Sequence, residues 1–390
     1  MTTPRAMEVL LVPDLPIEHW PSMDRYSNRL KAGLARVEGL RVSVAGAIDP
    51  LTAERPGAPH SRVVDPGSTH FLPLTGFSAI RRYASRYVLY PRRVRRMRAD
   101  VLHVLDHSYG HMLLANNQRP SVVTVHDLLP AISVRKGSAT IKERFRNWLL
   151  TRVLKGLRRA DAFIVGTEWI RTELAEFIGD EHRIHIVPFG VDPAFLEPPP
   201  ILRAALRRRS GIPDDAFVIL HVGSLGPRKN LPAVLRSLAA LRAAGIPAWL
   251  LQVGGALSDE QTADIGALGL REWVTLLGST REDVLRSAYG AADVLLFPSL
   301  YEGFGFPVLE AMASGLPVIA SAAGALPEVG GDGAVIVEGH ETEPYVTALR
   351  QVLDNPSWRD QLVARGRIRA QAFTWEAAAR KTAEVYQKIV

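Results

Sequence analysis

The sequence predicts an α/β protein built from two doubly wound parallel sheets. Short apolar runs of four to seven residues alternate with segments whose apolar residues recur at helical spacing. That alternation is typical of parallel strands joined by helices that cover both faces of a sheet. The series is interrupted once, by the proline-containing stretch 188–200, and then begins again. A chain of 390 residues is long enough for two domains with separate cores.

The first series of elements fills residues 1–190, the first predicted domain. Strands are predicted where apolar residues are continuous, at 7–12, 42–45, 100–104, 121–125, 161–166 and 183–187. Helices are predicted at 25–36, 80–97, 141–159 and 168–178, with Thr167 as the N-cap of the last one. The apolar positions of the helix 141–159 are Phe145, Trp148, Leu149, Val153, Leu154 and Leu157. The stretches 13–24 and 49–65 are predicted to be loops.

The second series fills residues 201–373, the second predicted domain, after a linker at 191–200. A short helix is predicted at 202–209 and a last helix at 375–390, within a C-terminal segment 374–390. Strands are predicted at 216–222, 248–253, 274–277, 294–297, 317–320 and 334–337.

A glycine-containing loop follows the strand 294–297 and leads into a helix that begins near Pro307. The first amides of a helix have no partner within it, and together with the helix dipole they favour an anion such as a phosphate. Glycines at 303 and 305 allow the main chain to approach a ligand. Glu302 and Glu310 cannot bind that phosphate, so we interpret them as acceptors for sugar and ribose hydroxyls. A buried strand–helix turn with two solvated glutamates explains the pattern equally well.

A second loop, 223–230, also follows a strand and precedes a helix. It lacks the spacing of a P-loop, but it carries Arg228 and Lys229 side by side at a strand end. A guanidinium and an ammonium are both suited to a diphosphate, and preorganised cations lower the barrier when negative charge develops on a leaving phosphate. The alternative is a basic loop in contact with water.

Polar residues stand directly after three strands of the first domain. They are Asp106-His107, His126-Asp127 and Gly166-Thr167. Ligands of open parallel sheets bind beyond the carboxyl ends of the strands, which makes these residues candidates for a site. A histidine in such a place is as often a structural cap as a functional group.

The composition is that of a soluble globular protein, with 47% hydrophobic and 22% charged residues. The absence of cysteine excludes disulfide bonds, thiolate catalysis and cysteine-ligated zinc. The start of the chain lacks the pattern of a signal peptide, and no apolar run approaches the roughly 20 residues of a membrane span. We therefore expect a cytoplasmic protein without a targeting segment.

Positive charge is concentrated in the first half of the chain. Residues 1–195 carry 28 Lys and Arg against 19 Asp and Glu, whereas the remaining residues carry 19 against 21. Arginines are densest at 81–98, where aromatic residues are interleaved, and a second basic group spans 142–159. Such a segment is typical of proteins that lie on an anionic membrane or bind an anionic acceptor, and also of nucleic-acid binding. A solvated helix face is the simpler interpretation.

The sequence EGFGFP at 302–307, with Glu310 eight positions after Glu302, resembles the E-x7-E motif of the retaining glycosyltransferases of family 4. The resemblance covers nearly the whole chain and is weakest at the N-terminus. It implies the GT-B fold, in which two Rossmann-like domains face each other and the last helix returns to the first domain. The first domain would bind the acceptor and the second the nucleotide sugar. No metal and no cofactor beyond the donor, GDP-mannose or a UDP-sugar, is expected.

The same resemblance implies roles for individual residues. The catalytic group would be Glu302, His126, Arg228 and Lys229. The donor would be bound by Gly303, Phe304, Gly305, Phe306, Glu310, Ser224 and Leu326. The acceptor would be bound by Asp106, His107, Asp127, Ser22 and Asp24. Retention of configuration would follow from front-face attack, in which the leaving phosphate takes the acceptor proton.

One segment departs from the family pattern. Family members usually carry two glycines after the first strand, whereas residues 18–26 contain none, so the amides around Ser22 to Asp24 would have to replace them. We expect transfer of a hexose, mannose as the first guess, to a glycan or lipid-linked acceptor in cell-surface polysaccharide synthesis. The enzyme would be peripheral on the inner face of the membrane, with no nucleic-acid partner. Alternatives are a UDP-sugar transferase for a small molecule, and an epimerase, phosphorylase or nucleotide-sugar-binding protein without transfer.

Overall fold

The computed structural model describes residues 5–15, 18, 21–45, 81–116, 119–128, 141–196, 200–278 and 281–390. Within these residues the chain forms two six-stranded parallel sheets with helices between the strands. The predicted loop 49–65, residues 197–199 of the predicted linker, and His19 and Trp20 of the glycine-free segment lie outside them.

The first sheet has the strand order β2-β1-β3-β4-β5-β6. Its strands are β1 Met7–Val12, β2 Leu40–Val44, β3 Val101–Val104, β4 Ser121–Val125, β5 Ala162–Val165 and β6 Ile184–Ile186. The central strands are buried along their whole length, which explains why they read as continuous apolar runs rather than as alternating patterns. Its helices are α1 Pro21–Leu34, α2 Tyr90–Arg96, α3 Ile141–Leu157 and α4 Glu168–Ile178.

The second sheet has the order β12-β11-β10-β7-β8-β9. Its strands are β7 Phe217–Val222, β8 Ala248–Val253, β9 Val274–Leu276, β10 Val294–Phe297, β11 Val318–Ser321 and β12 Val335–Val337. Its helices are α5 Pro200–Arg209, α6 Leu231–Ala243, α7 Asp259–Ala267, α8 Glu282–Ala291, α9 Phe306–Ala313, α10 Leu326–Gly330, α11 Thr342–Asp354 and α12 Pro356–Gln371. The order reverses between β7 and β10, which places a crevice at the carboxyl ends of these two strands.

The last helix, α13 Trp375–Ile389, lies against the first sheet's layer of helices. A methyl group at Gly33 of α1 would lie 2.8 Å from Ala379 Cβ, so the two helices pack closely. The buried Tyr386 hydroxyl lies 2.6 Å from His103 Nδ1, whose ring also contacts Thr124 Oγ1 at 2.8 Å. The chain therefore starts and ends on the first sheet, as the resemblance implied.

Several predicted elements need correction. Helix α1 begins at Pro21 rather than at residue 25, so Ser22 and Asp24 lie in its first turn and not in a loop. Leu326, a predicted donor-binding residue, lies at the start of the short helix α10. Phe145 and Trp148 of α3 are exposed, although their spacing suggested the buried face, whereas Leu149, Val153 and Leu157 are buried as expected. Thr167 is confirmed as the N-cap of α4.

Residues 81–96 form a continuous helical segment that contains a π-helical turn, Ser85–Leu89, immediately before α2. The sequence predicted a helix here but not the π turn. Such turns carry one extra residue and occur frequently at functional sites. In the part of the chain that the structure describes, no helix has the length and apolarity needed to cross a membrane.

Candidate active site

The glycine loop after β10 forms the second domain's wall of the crevice. Gly305 has φ +95°, a conformation that favours glycine, and it ends the loop where α9 begins at Phe306. Pro307 is the second helical residue rather than the first. Within the described part of the chain, the amides of residues 303 to 306 donate to no protein acceptor. They are the unpaired donors that a helix start presents.

Gly303 has a structural role besides the ligand-binding role predicted for it. A methyl group at this position would lie 1.8 Å from the backbone oxygen of His126, in the first domain. The Gly303 oxygen also accepts a hydrogen bond of 3.1 Å from Thr167 Oγ1. The absence of a side chain therefore allows contact between the two domains, in addition to any ligand.

Glu302 forms a buried ion-pair cluster with the two cations of the second loop. Its Oε1 accepts from Lys229 Nζ at 2.6 Å and from Arg228 Nη1 at 3.0 Å. Glu302 and Lys229 are 7% and 5% exposed, so little water screens this contact. Lys229 Nζ also lies 4.4 Å from the centre of the Phe297 ring. The sequence predicted all three charged residues, but not that they pair with one another.

Burial lowers the pKa of the Lys229 ammonium and Arg228 adds to this effect, whereas Glu302 opposes it. A ligand that brings negative charge to the two cations would therefore compete with Glu302 for them. This competition frees the Glu302 carboxylate to accept from hydroxyl groups.

Side chains of β7 and β8 pack beside the loop that carries Arg228 and Lys229. His221 Nδ1 contacts Gln252 Oε1 at 2.5 Å, and the Gln252 amide donates to the oxygen of Gly254 at 3.0 Å. Burial lowers the pKa of His221 to about 4, so its ring is neutral at pH 7. Asn230 is the one non-glycine residue in the described chain with positive φ, +52°, which asparagine tolerates and which turns the chain into α6.

Glu310 lies one turn inside α9 and faces the first domain. Its carboxylate accepts from Tyr289 Oη at 2.8 Å and pairs with Arg25 Nη1 of α1 at 3.1 Å. Burial raises the pKa of Glu310, while Arg25 and Tyr289 oppose this. A cleft between the domains runs past this carboxylate; its lining includes Ser22, Arg25, Tyr26, Phe306 and Glu310.

His126 lies at the end of β4 between the two domains. Its Nε2 is 2.9 Å from the oxygen of Leu105, which can only accept, so Nε2 carries the proton. Burial lowers the pKa of His126, and its Nδ1 is a buried acceptor without a donor among the described residues. The ring packs edge-on against Tyr26 at 4.7 Å. This leaves one lone pair for a ligand.

Asp106 and His107 lie at the end of β3. Asp106 accepts from the Ser108 amide at 2.5 Å and caps the 3₁₀ helix His107–Ala115. Burial raises the pKa of Asp106, but His107 and His126 outweigh burial and bring it below its ordinary value. The His107 ring lies 3.7 Å from both Asp106 and Asp127.

The remaining predicted residues line the same region without forming polar contacts to one another. Phe304 and Phe306 pack against Phe189 with ring centres 4.9 and 5.9 Å apart. Leu326 is buried, and its side chain fills the space beside Gly305. Ser224 is exposed in the loop before Arg228. The assigned roles of these residues stay predictions.

Sequence reasoning missed the partners of the predicted residues. Arg25 and Tyr289 hold Glu310, and Tyr301 reaches from the glycine loop to Glu173 Oε2 at 2.6 Å. Glu328 accepts from the amides of Glu168 and Trp169 at 2.9 and 3.2 Å. None of these pairs is close in sequence, so no local pattern marks them. No group of three potential metal ligands occurs among the described residues.

Two family models match the chain, one in each half. Residues 23–195 match the model described as Glycosyltransferase Family 4, and residues 203–369 match that of Glycosyl transferases group 1. The two matched segments meet at the predicted linker.

Curated relatives match parts of the chain at 31 to 36% identity. A D-inositol 3-phosphate glycosyltransferase from Thermomonospora curvata is 31% identical over 308 residues, 74% of this chain and 71% of the relative. One from Kineococcus radiotolerans is 36% identical over 252 residues, 59% of this chain and 58% of the relative. The O-antigen chain mannosyltransferase B of Escherichia coli is 33% identical over 171 residues, 43% of this chain and 45% of the relative. The match thus spans only about half the length of some relatives.

Solved structures share the whole architecture. The sucrose-phosphate synthase of Thermosynechococcus elongatus superimposes with a TM-score of 0.72 at 22% identity, over 98% of both chains. The Anabaena protein HepE, solved with UDP-glucose, gives a TM-score of 0.73 at 19% identity, over 98% of this chain and all of that one. At this identity the similarity establishes the GT-B fold alone.

Proposed function

The chain belongs to glycosyltransferase family 4, and from that premise we propose that it transfers a hexose from a nucleoside-diphosphate sugar to an acceptor held by the first domain. One observation carries this proposal. Arg228 and Lys229 converge on Glu302 beside four backbone amides that have no protein acceptor in the described chain. A buried ammonium, a partly exposed guanidinium and a helix start provide what a pyrophosphate needs.

The ligand-free cluster suggests how the donor would be received. The pyrophosphate would replace Glu302 as the counterion of Arg228 and Lys229, and Glu302 would accept hydrogen bonds from the sugar hydroxyls. The same cations then lie where the leaving diphosphate gains charge, and each such group is typically worth a few kcal/mol in the transition state. We therefore propose a transfer that does not depend on a metal.

We further propose that the reaction retains the anomeric configuration. The acceptor oxygen attacks from the face that the diphosphate leaves, and a phosphate oxygen takes the acceptor proton. His126 supports this arrangement, since its unpaired Nδ1 can accept from a sugar hydroxyl near the reacting carbon. Glu310, beside Tyr289, would bind the ribose.

The donor that we propose first is GDP-mannose. The E. coli relative is named for mannosyl transfer, and the Pro-Arg-Lys-Asn sequence at 227–230 resembles mannosyltransferase-type members. UDP-sugars are the alternative. The curated relatives named for D-inositol 3-phosphate favour a small-molecule acceptor as the second candidate function.

A glycan or lipid-linked acceptor is supported by a surface on the first domain. Tyr83, Phe145 and Trp148 are exposed, and the Phe145 ring contacts the other two, with ring centres 5.8 Å from Tyr83 and 5.9 Å from Trp148. Val88 and Leu89 are exposed on the helix of Tyr83. We call these five residues the aromatic patch. Arg82 lies over the Tyr83 ring and Arg152 over the Trp148 ring, and α2 and α3 carry further arginines that are exposed, a combination that suits an anionic bilayer. We propose peripheral attachment to the inner face of a membrane.

The test begins with the donor. Melting temperatures are measured with GDP, UDP, ADP and dTDP and with their sugars, and release of free nucleotide is then assayed with the donor that stabilises most. We expect one base to be preferred, and slow donor hydrolysis that glycan acceptors accelerate. Lys229→Ala should weaken nucleotide binding. Binding without any hydrolysis or transfer would favour a nucleotide-sugar-binding protein, and unchanged affinity in Lys229→Ala would contradict the phosphate assignment.

A further inference from the structure

The carboxyl end of β1 carries a buried carboxyl group that no group among the described residues satisfies. Asp14 is 8% exposed, and neither of its oxygens has a hydrogen-bond partner in that part of the chain. The backbone on either side is held firmly, since Tyr90 Oη donates to the oxygen of Pro13 at 2.9 Å and the Leu15 amide donates to Tyr109 Oη at 3.0 Å. Buried polar groups in folded proteins nearly always have partners. The fold thus fixes the position of Asp14 and leaves its side chain with two free acceptors.

Arg86 approaches the same place from the π-helical turn. It donates to Glu18 Oε1 at 3.1 Å and to the oxygen of Ser108 at 2.7 Å, and its guanidinium covers the Tyr109 ring at 4.2 Å. Its Nε is buried and has no acceptor. Arg86 is therefore part of the interior of this end of the domain and not of the solvated basic face that the sequence suggested.

His107 supplies a third group with unused hydrogen-bonding capacity. Its side chain is buried, and neither ring nitrogen makes a hydrogen bond, although each lies 3.7 Å from a carboxylate. Asp14, Arg86 and His107 come from three different elements, and Asp106 is near enough to interact electrostatically with all three. A single unpaired atom can be accidental, but three residues with unpaired atoms around one carboxylate indicate a missing ligand.

From this arrangement, and resting on the proposed function, we infer that Asp14, with Arg86 and His107, binds hydroxyl groups of an uncharged, hydroxyl-rich acceptor and disfavours acceptors that carry a phosphate.

The charge of the site supports the exclusion of phosphate. Burial raises the pKa of Asp14 to about 8, and Asp106, Glu18 and Asp24 push it in the same direction, while Arg86 alone opposes them. A neutral carboxyl group both donates and accepts, which suits a hydroxyl group. The guanidinium of Arg86 is already paired with Glu18, so it offers little to a dianion. A phosphate here would face more carboxylates than cations and would lose its hydration.

The experiment compares matched acceptors with the donor selected above. The probes are methyl α-mannoside and myo-inositol, and as phosphorylated partners mannose 6-phosphate and D-inositol 3-phosphate. We expect kcat/KM for the neutral probes to exceed that for their phosphates by about tenfold or more. Asp14→Leu should raise KM for the neutral probes about tenfold, as expected for a lost hydrogen bond. Asp14→Asn, which keeps a donor and an acceptor, should restore KM below pH 7.

Donor binding and slow donor hydrolysis provide the internal control, because Asp14 touches no donor-binding residue. Asp14→Leu should still bind the donor, which shows that the variant is folded, whereas Glu38→Leu, at an exposed turn of the same domain, should leave donor binding, donor hydrolysis and every acceptor parameter unchanged. Preference for the phosphorylated probes, equal KM in Asp14→Leu, or no response to any probe would each overturn the inference. Loss of donor binding by the wild-type protein would instead overturn the proposed function.

Discussion

At the residue scale, the pairing of Glu302 with Lys229 and Arg228 leads to a prediction about stability. Glu302→Gln keeps the shape of the side chain but leaves Lys229 buried without a counterion. Breaking a buried pair in this way costs about 3 kcal/mol or more. We expect a lower melting temperature for the ligand-free variant and a larger gain on adding GDP or UDP than the wild type shows, because the pyrophosphate then supplies the only anion.

Glu310→Gln is the matched control for this prediction. It removes a carboxylate from α9, but the Arg25 side chain that loses its partner is 30% exposed, so no fully buried cation is left unpaired. The rise in melting temperature that GDP or UDP causes in Glu310→Gln should not exceed that of the wild type. Equal rises in Glu302→Gln and Glu310→Gln would contradict the competition between Glu302 and the pyrophosphate.

Asp14 gives a second prediction at this scale, through the pH dependence of stability. Its ordinary pKa of 3.8 applies in the unfolded chain, and burial raises the folded value to about 8. Between these values the folded state holds a proton that the unfolded state has lost, so stability falls as pH rises, by about 1.4 kcal/mol per pH unit at most. Asp14→Asn does not titrate. We expect its advantage in free energy of unfolding over the wild type to grow from pH 4 to pH 8 and then to level off.

The groups that face Asp14 determine how this comparison is controlled. They are Asp106, Glu18, Asp24, Arg86 and the hydroxyls of Tyr90 and Tyr109. Glu38→Gln, on the surface, should follow the wild-type pH profile. A constant difference between Asp14→Asn and wild type across this pH range would mean that Asp14 is ionised in the folded protein.

The types of site residue could be predicted from the sequence, but their partners could not. Loops after buried strands marked Glu302, Arg228 and Lys229, because parallel sheets bring such loops to one edge. The sequence could not show that Glu302 neutralises two cations 73 and 74 positions away, since that depends on how β7 and β10 pair. Gly303 was assigned to a ligand, yet its bare Cα also accommodates the His126 carbonyl. Asp14 gave no signal because its burial comes from residues far along the chain.

At the element scale, buried strands were predicted best. β4, β8 and β10 have the predicted bounds, since continuous apolar runs flanked by polar turns leave little freedom. Helix α1 begins four residues early because a proline is compatible with a first helical turn, so Pro21 starts the helix instead of ending the loop. The helical spacing of Phe145 and Trp148 predicted that they are buried, but both are exposed. Apolar spacing shows which residues share a helix face and cannot show whether another element covers that face.

Helix α4 provides a prediction about the contact between the domains. Its first two amides are capped by the Glu328 carboxylate of the other domain, an interaction favoured by the helix dipole. Glu328→Ala should cost about 0.5–2 kcal/mol, the usual range for a lost cap. Because the lost bonds join two domains, we also expect a larger radius of gyration in X-ray scattering, and less difference from the wild type at high salt.

Glu343→Ala tests whether this effect depends on the interface. Glu343 is an exposed carboxylate in the first turn of α11, within the second domain. The Glu343→Ala variant should have the same radius of gyration as the wild type. An unchanged radius in Glu328→Ala at low salt would limit the role of this contact to local stability of α4.

At the scale of the whole molecule, the chain joins the two domains in several places besides the linker. Val191 donates to the oxygen of Phe373 at 3.0 Å, a methyl group at Gly190 would lie 2.4 Å from the Trp375 amide, and α13 then packs beside α1. The two segments that connect the domains, one around residue 190 and one around residue 374, therefore lie side by side. The family resemblance implied this return, whereas composition and periodicity showed only another helix. The uneven charge of the two halves was visible in the sequence, but the surface on which it lies was not.

That surface gives the last prediction. In the proposed membrane attachment, the aromatic patch would insert its rings at the headgroup level and the arginines of the first domain would attract anionic lipids, each worth about 1 kcal/mol near the surface. Replacing Arg92, Arg93, Arg95 and Arg96 with Gln should therefore reduce sedimentation with phosphatidylglycerol vesicles strongly, and Phe145→Ser with Trp148→Ser should reduce it at any salt concentration.

The charge-matched control replaces four exposed arginines of the second domain and of α13, namely Arg208, Arg209, Arg350 and Arg380. If the control loses as much binding as the first-domain variant, net charge alone drives attachment. If neither variant differs from the wild type, while salt-sensitive binding to single-stranded nucleic acid depends on the same arginines, the surface binds a different polyanion.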